Sequence, residues 1–285
     1  MSFIRSARSY RQIGQTALDN DALRALAPSI FADDKHESRS ERYAYIPTAQ
    51  VVDGMRDQGF APVFAKQGGS RIEGKAEFTK HLIRFRRMDE VEAGRRIGGL
   101  YPEVVIVNSH DGTSAYKVMA GLMRMVCLNG LLVCDQELAS VTVRHKGDVA
   151  SQVIEGSFQV LEDSRRALDV AEEWSGIKLS HDEQKVMAEA AHLIRFGDSE
   201  GNITTPIKAD AMLRPRRRED FGEDLWTVGN VIQENAIRGG LTGRGRDANN
   251  RPRKATSREV KGIDADVKIN RALWLLNERM AQLKG

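Results

Sequence analysis

Cysteine is nearly absent: the 285 residues contain two, Cys127 and Cys134. With no further thiol in the chain they cannot build a thiolate metal site, and buried, reduced side chains are the expected state. Histidine is also sparse, and its six residues are scattered, so no zinc-ligand spacing appears. No apolar run approaches the roughly 18–20 residues that cross a bilayer, so no membrane partner is expected. The opening MSFIRSARSYRQIG lacks the apolar core of a signal peptide, which makes the cytoplasm the expected compartment. No GxxxxGKS loop occurs. The glycine-rich GLTGRGR ending at Arg246 follows a helical pattern and is flanked by arginines, which does not fit a dinucleotide fingerprint. Aromatic residues make up only 6% of the chain, too few for an extended base-stacking platform, so any nucleic-acid contact is expected to be with the backbone.

What is present is an ordinary globular composition, 41% hydrophobic and 29% charged, in a chain long enough for one large domain or two smaller ones. The net charge of +3 is unevenly spread. The segment Arg238 to Arg258 holds seven basic residues (Arg238, Arg244, Arg246, Arg251, Arg253, Lys254 and Arg258) against one acidic residue, Asp247. It therefore carries +6 and the remainder −3. Charge gathered in this way is what meets a phosphate backbone. The alternative is a solvated loop. Arg214, Arg216, Arg217 and Arg218 add a second cluster, with Glu219 and Asp220 beside it.

The centre of the chain is the stretch Phe78 to Leu132. FTKHLIRFRRM alternates, placing Lys80, Leu82, Arg84 and Arg86 on one strand face and His81, Ile83 and Phe85 on the other. Val104 to Asn108 is a continuous apolar strand, and Ser109 to Thr113 is a tight turn. From Ser114 the apolar residues Ala115, Val118, Met119, Leu122 and Val126 fit a period near 3.6, which predicts a helix carrying Lys117 and Arg124 away from its apolar stripe. Upstream, Thr48 is an expected N-cap for a helix containing Val51, Val52 and Met55, followed by a strand from Phe60. Short edge strands are expected near Leu131 and Val141. From Val149 onward the pattern is helical: Val149 to Trp174, a second helix opened by the Ser180–Glu183 capping box, one from Thr205 to before Pro215, Leu225 to Arg238, and a last one capped by Asp264. The fold class is α+β: an antiparallel meander sheet covered by helices in the first half, and a helical second half. The expected organisation is an N-terminal arm (1–45), an α+β core (46–148) and a helical region (149–285) with a basic loop at 238–258.

No catalytic residue, metal ligand or cofactor is assigned. Ser109, His110 and Asp111 are adjacent, and neighbours in a turn point apart rather than meeting as a triad. Asp89, Glu90 and Glu92 read as solvated loop carboxylates. The candidate nucleic-acid-binding residues are Lys80, Arg84, Arg86, Lys117, Arg124, Arg238, Arg244, Arg246, Arg251, Arg253 and Lys254. For the strand cations the alternative is a solvated outer face. A protein that engages a host factor through its basic loop, and a nuclease using His110 and Asp111, are the other two readings.

Five separated strings, YIPTAQVVDGMRDQGF, FTKHLIRFRR, VVIVNSHDGTSAYKVMAGLMRMVCLNGL, WTVGNVIQENAIRGG and VKGIDADVKINRALWLL, resemble a plasmid- and prophage-borne family, the domain of unknown function DUF932. That resemblance implies a bacterial mobile-element setting and carries no activity or residue roles. The helix, three-strand meander and helix expected over Thr48 to Leu128 are also similar in order to single-strand annealing recombinases of the Erf and RecT type. This second resemblance implies a homo-oligomer, ring-shaped in that group, that holds single-stranded DNA in a basic groove with no bond chemistry. Mapped onto this chain, Lys80, Arg84, Arg86, Lys117 and Arg124 would line the groove.

Overall fold

A computed structural model describes residues 17–34, 45, 47–70, 75–88, 100–124, 129–132, 141–143, 148–246 and 250–285, with the side chains of 124, 129–132 and 143 excepted. The chain divides into two compact units, Met1–Leu168 and Asp169–Gly285. Among the described residues no helix is long and apolar enough to cross a membrane.

In the first unit, α1 (Asn20–Leu26) is capped by the Asp19 carboxylate, which accepts the Ala22 amide at 2.8 Å. A second helix, α2 (Thr48–Asp57), buries Val51, Val52 and Met55. The strands β1 (Phe60–Gln67), β2 (His81–Arg87), β3 (Leu100–Asn108), β4 (Tyr116–Arg124) and β5 (Asn129–Leu132) then pair antiparallel in chain order, and β6 (Val141–Val143) pairs with β4. The register sets Ile83 opposite Ile106 and Val118 opposite both Ile106 and Val141. These residues share the face met by α2, through Thr48 on His81, and by the first part of the long helix α3 (Val149–Gly176), through Gly156 on Val141. Close packing there is written into two glycines: a Cβ on Gly54 would come 2.7 Å from Ile154 Cδ1, and one on Gly156 would come 3.1 Å from Val141 Cγ1.

The expected helix from Ser114 is instead strand β4. Tyr116, Val118, Ala120 and Leu122 alternate with Lys117, Met119, Gly121 and Met123, so the segment satisfies a period of two as well as 3.6. Alanine, methionine and leucine suit a helix. Gly121 disfavours one, Tyr116 and Val118 favour extended backbone, and β3 supplies a ladder along most of the segment's length. The helix–meander–helix order behind the likeness to annealing recombinases is therefore replaced by a helix and consecutive antiparallel strands. Thr48 is also not the N-cap. It is the first helical residue, Pro47 precedes it, and no side chain caps that end.

In the second unit, α4 (His181–Phe196) opens with the expected capping box, Ser180 and Glu183 bonding each other's backbone amides. Residues expected to form a helix after Thr205 form only a 3₁₀ segment, Ala209–Leu213. The helices α5 (Leu225–Arg238) and α6 (Ile263–Lys284) pack closely at Gly229, where a Cβ would approach Asn277 Nδ2 to 2.5 Å. Gly262, not Asp264, occupies the N-cap of α6. The core gathers Trp174, Trp226 and Trp274, with ring centroids 4.7 Å apart for Trp174 and Trp274 and 6.4 Å for Trp174 and Trp226. Between α5 and α6 the expected basic loop is an ordered two-stranded ribbon, β7 (Thr242–Arg246) and β8 (Pro252–Thr256).

Candidate nucleic-acid interface

Three places in the fold gather charge or titratable groups, and they differ in whether a ligand can reach them. The first is the sheet face carrying the strand cations. Lys80 is half-buried and Lys117 is exposed. Arg84 and Arg86, expected to be open, are 8% and 3% exposed and converge on Glu103, which is 1% exposed. Arg86 Nη2 donates to Glu103 Oε1 at 2.5 Å, and Arg84 Nε lies 2.9 Å from Glu103 Oε2. The Arg86 guanidinium also stacks 4.5 Å from the centre of the Tyr101 ring. Alternation placed these arginines on one face correctly. It did not reveal that Glu103, registered on the neighbouring strand, would occupy them there. They hold the sheet together and are not available as groove cations. Arg124 ends β4, and its side chain lies outside the described residues, as do Cys127, Cys134, Asp89, Glu90 and Glu92.

The second place is the β7–β8 ribbon. Arg244 pairs with Lys254 and Arg246 with Pro252 across the ladder, so Thr242, Arg244, Arg246, Lys254 and Thr256 share one face. All of them are exposed. The opposite face rests on the chain at Pro206 and Ile207. A Cβ on Gly243 would come 2.2 Å from the Pro206 carbonyl oxygen and 2.5 Å from Ile207 Cα, and one on Gly245 would come 2.8 Å from Pro206 Cβ. Glycine at alternate positions lets the ribbon lie flat on the unit, and the arginines between them consequently point outward. Arg251 and Arg253 are exposed as well. Among the described residues no salt bridge engages Arg244, Arg253 or Lys254, and Arg246 donates to the Asn250 carbonyl at 2.8 Å. The GRGR alternation was the signal in the sequence that could have revealed a strand with one basic face.

Next to the root of this ribbon is a cleft lined by Arg214, Pro215, Arg216, Arg217, Asn235, Arg238, Gly240 and Leu241. Arg217 and Arg238 both bond the buried Glu234, Arg238 at 2.8 Å. Arg238, expected in the binding set, therefore stands in the cleft wall rather than on the ribbon.

The third place is a buried polar knot at the end of the sheet. Thr48 Oγ1 has His81 Nε2 at 2.9 Å, His110 Nε2 at 3.1 Å and the Tyr116 hydroxyl at 3.1 Å, and it accepts from Asn108 Nδ2 at 3.0 Å. Ser29 Oγ lies 2.9 Å from His81 Nδ1. Ser29, Thr48, His81, Asn108, His110 and Tyr116 all have 0% exposure. His110 thus faces the α2–sheet interface. The Asp111 carboxylate accepts from the Thr113 hydroxyl and amide, the latter at 3.0 Å, and pairs with Lys75 at 3.3 Å. Burial pushes its pKa up, and the bonds from Thr113, with Ser109 and Lys75, outweigh this and hold it below the usual carboxylate value. A nuclease using His110 and Asp111 would need both on one accessible surface, and the structure turns them apart. Among the described residues no cluster of His, Cys, Asp and Glu could hold a metal ion.

Burial, reinforced by the neighbouring His110 ring, pulls the His81 pKa from 6.5 to about 3. Between those values the unfolded chain takes a proton that the folded chain refuses, so stability falls as pH drops below 6.5. The slope approaches roughly 1.4 kcal/mol per pH unit, or on the order of 2 kcal/mol by pH 5. Urea midpoints measured at pH 7 and pH 5 are expected to show this loss, and His81→Gln is expected to remove most of the difference between the two pH values.

Comparison with known proteins agrees with the fold-wide pattern of motifs. The family model "Domain of unknown function (DUF932)" matches residues 35–274. The chain is 44% identical over 263 residues to UPF0380 protein YafZ of Escherichia coli strain K12, and 43% identical over 263 residues to UPF0380 protein YfjQ of the same strain. Both alignments cover 92% of this chain and 91% of the relative. No solved structure matches. With a family model spanning most of its length and two near-full-length relatives, the chain belongs to the DUF932 family.

Proposed function

We propose that this protein binds the phosphate backbone of DNA through the outer face of the β7–β8 ribbon, holds single strands, and promotes their annealing without making or breaking bonds. The observation that carries the reading is the one-sided ribbon: Arg244, Arg246 and Lys254 on an exposed face, fixed outward by Gly243 and Gly245 against Pro206 and Ile207. Alternate residues on a strand are separated by about 6.8 Å, so these cations form a row along which a phosphate backbone can lie. The ribbon's outer face carries no aromatic ring to stack on bases. A surface that grips phosphates and leaves base edges unoccupied is what pairing of two strands requires. A host protein with an acidic surface is the competing occupant of the same face.

The test is the rate at which two complementary labelled oligonucleotides anneal at low salt, with and without the protein. Acceleration is expected, lost on adding salt. Tight binding to the preformed duplex with no acceleration would replace annealing by duplex binding in the major groove, which a two-stranded ribbon also fits. No binding to either form would leave the protein partner as the reading.

A further inference from the structure

We propose that the cleft beside the ribbon's root is a site for a phosphate monoester, the terminal phosphate of a nucleic-acid strand; the choice of a strand end as the source rests on the ribbon reading above. Four arginines line the cleft: Arg214, Arg216, Arg217 and Arg238. They are held from behind. Glu234 receives Arg217 on one oxygen and Arg238 on the other, Asp220 lies 3.3 Å from Arg217 Nε, and Asn235 Oδ1 accepts from Arg216 Nε at 2.8 Å. Arg216 Nη2 also donates to the Gly239 carbonyl. Glu234 and Asp220 are only 2% and 4% exposed, and neither lines the cleft. They orient the arginines and do not present negative charge to a ligand.

The charge balance selects the ligand. Four guanidiniums over two carboxylates leave a net +2. A phosphate monoester carries about −1.5 to −2 near neutral pH, and a backbone diester only about −1. Arg214 is exposed, and its side chain enters no hydrogen bond or salt bridge among the described residues, so its donors remain for the ligand. Partial burial of its guanidinium lowers the Arg216 pKa; Glu234 and Asp220 oppose this, and Arg238 and Arg217 reinforce it. An anion among these cations would relieve their mutual repulsion. Asn235 completes the preorganisation: its Nδ2 donates to the Met212 and Arg214 carbonyls at 2.8 and 2.9 Å, tying the Arg214–Arg217 segment to α5.

Two measurements on the full chain separate the cleft from the ribbon. Inorganic phosphate titrated alone should raise the melting temperature, and Arg214→Ala should weaken that response. Single-stranded oligonucleotides differing only in a 5′-phosphate or 5′-hydroxyl are then compared by fluorescence anisotropy, with a 3′-phosphate strand as a third arm. A terminal phosphate at one of the two ends should tighten binding roughly tenfold, as expected for one added charge-assisted contact. Arg214→Ala should abolish most of that advantage, whereas Arg244→Ala should weaken all three strands alike. Phosphate binding with no preference among the strands would support the monoester site and assign it to a free phosphate compound. Equal binding of the three strands with no response to inorganic phosphate would overturn the cleft and leave the ribbon reading intact. A phosphate response with no strand bound at all would overturn the ribbon reading and leave the cleft.

Discussion

Glu103→Ala is expected to cost the first unit about 3–5 kcal/mol, the usual penalty for removing one partner of a buried ion pair. Glu103 is the carboxylate on which Arg84 and Arg86 converge, and all three side chains are buried between β2 and β3. Its removal strands two guanidinium charges in a site that water barely reaches. Loss of that size is a large fraction of the stability of an ordinary domain, so the variant should unfold at much lower urea or be recovered only as aggregate. Glu103→Gln keeps the shape and loses the charge, and it should fall between the two. The charge origin of the effect is checked by replacing all three residues with apolar ones (Arg84→Met, Arg86→Met and Glu103→Leu), which should recover much of the loss. If Glu103→Ala melts like the parent protein, the buried cluster is not what holds β2 to β3.

The second large effect concerns DNA. The triple replacement Arg244→Ala, Arg246→Ala and Lys254→Ala should weaken oligonucleotide binding by roughly 10- to 100-fold at low salt, with the same loss for every sequence tested. These side chains are exposed, and the strands around them pack through Gly243 and Gly245 on Pro206 and Ile207, so the ribbon should stay folded. Circular dichroism and an unchanged melting temperature would establish that. Replacing Arg84 and Arg86 does not test binding, because their removal acts first on the sheet.

The architecture was largely legible in the sequence. Strands with strict alternation, such as His81 to Arg87, and helices with clear caps, such as His181–Phe196 and Leu225–Arg238, form as their patterns predict. The segment Tyr116–Arg124 did not, because its apolar residues satisfy both periods and only pairing with β3 decides between them. The site was legible by charge and illegible by partner. Local composition identified the cations of β2 and of Arg238 to Arg258 alike. Which of them are occupied depends on residues distant in sequence: Glu103 lies opposite Arg86 only once the β2–β3 register is set, and Glu234 meets Arg217 only once α5 is docked. The knot around Thr48 was missed for the same reason, since Ser29, His81, Asn108, His110 and Tyr116 come together only in the folded sheet.

Affinity for a fluorescent single-stranded oligonucleotide, measured from low to moderate salt, tests the proposed interface most directly. With contacts from the three outer-face cations Arg244, Arg246 and Lys254, log K should fall linearly with log salt at a slope of about −2, and the triple variant should remove most of that slope. A slope that is the same for the parent and the triple variant would place the polyanion elsewhere on the molecule and remove the ribbon from the account.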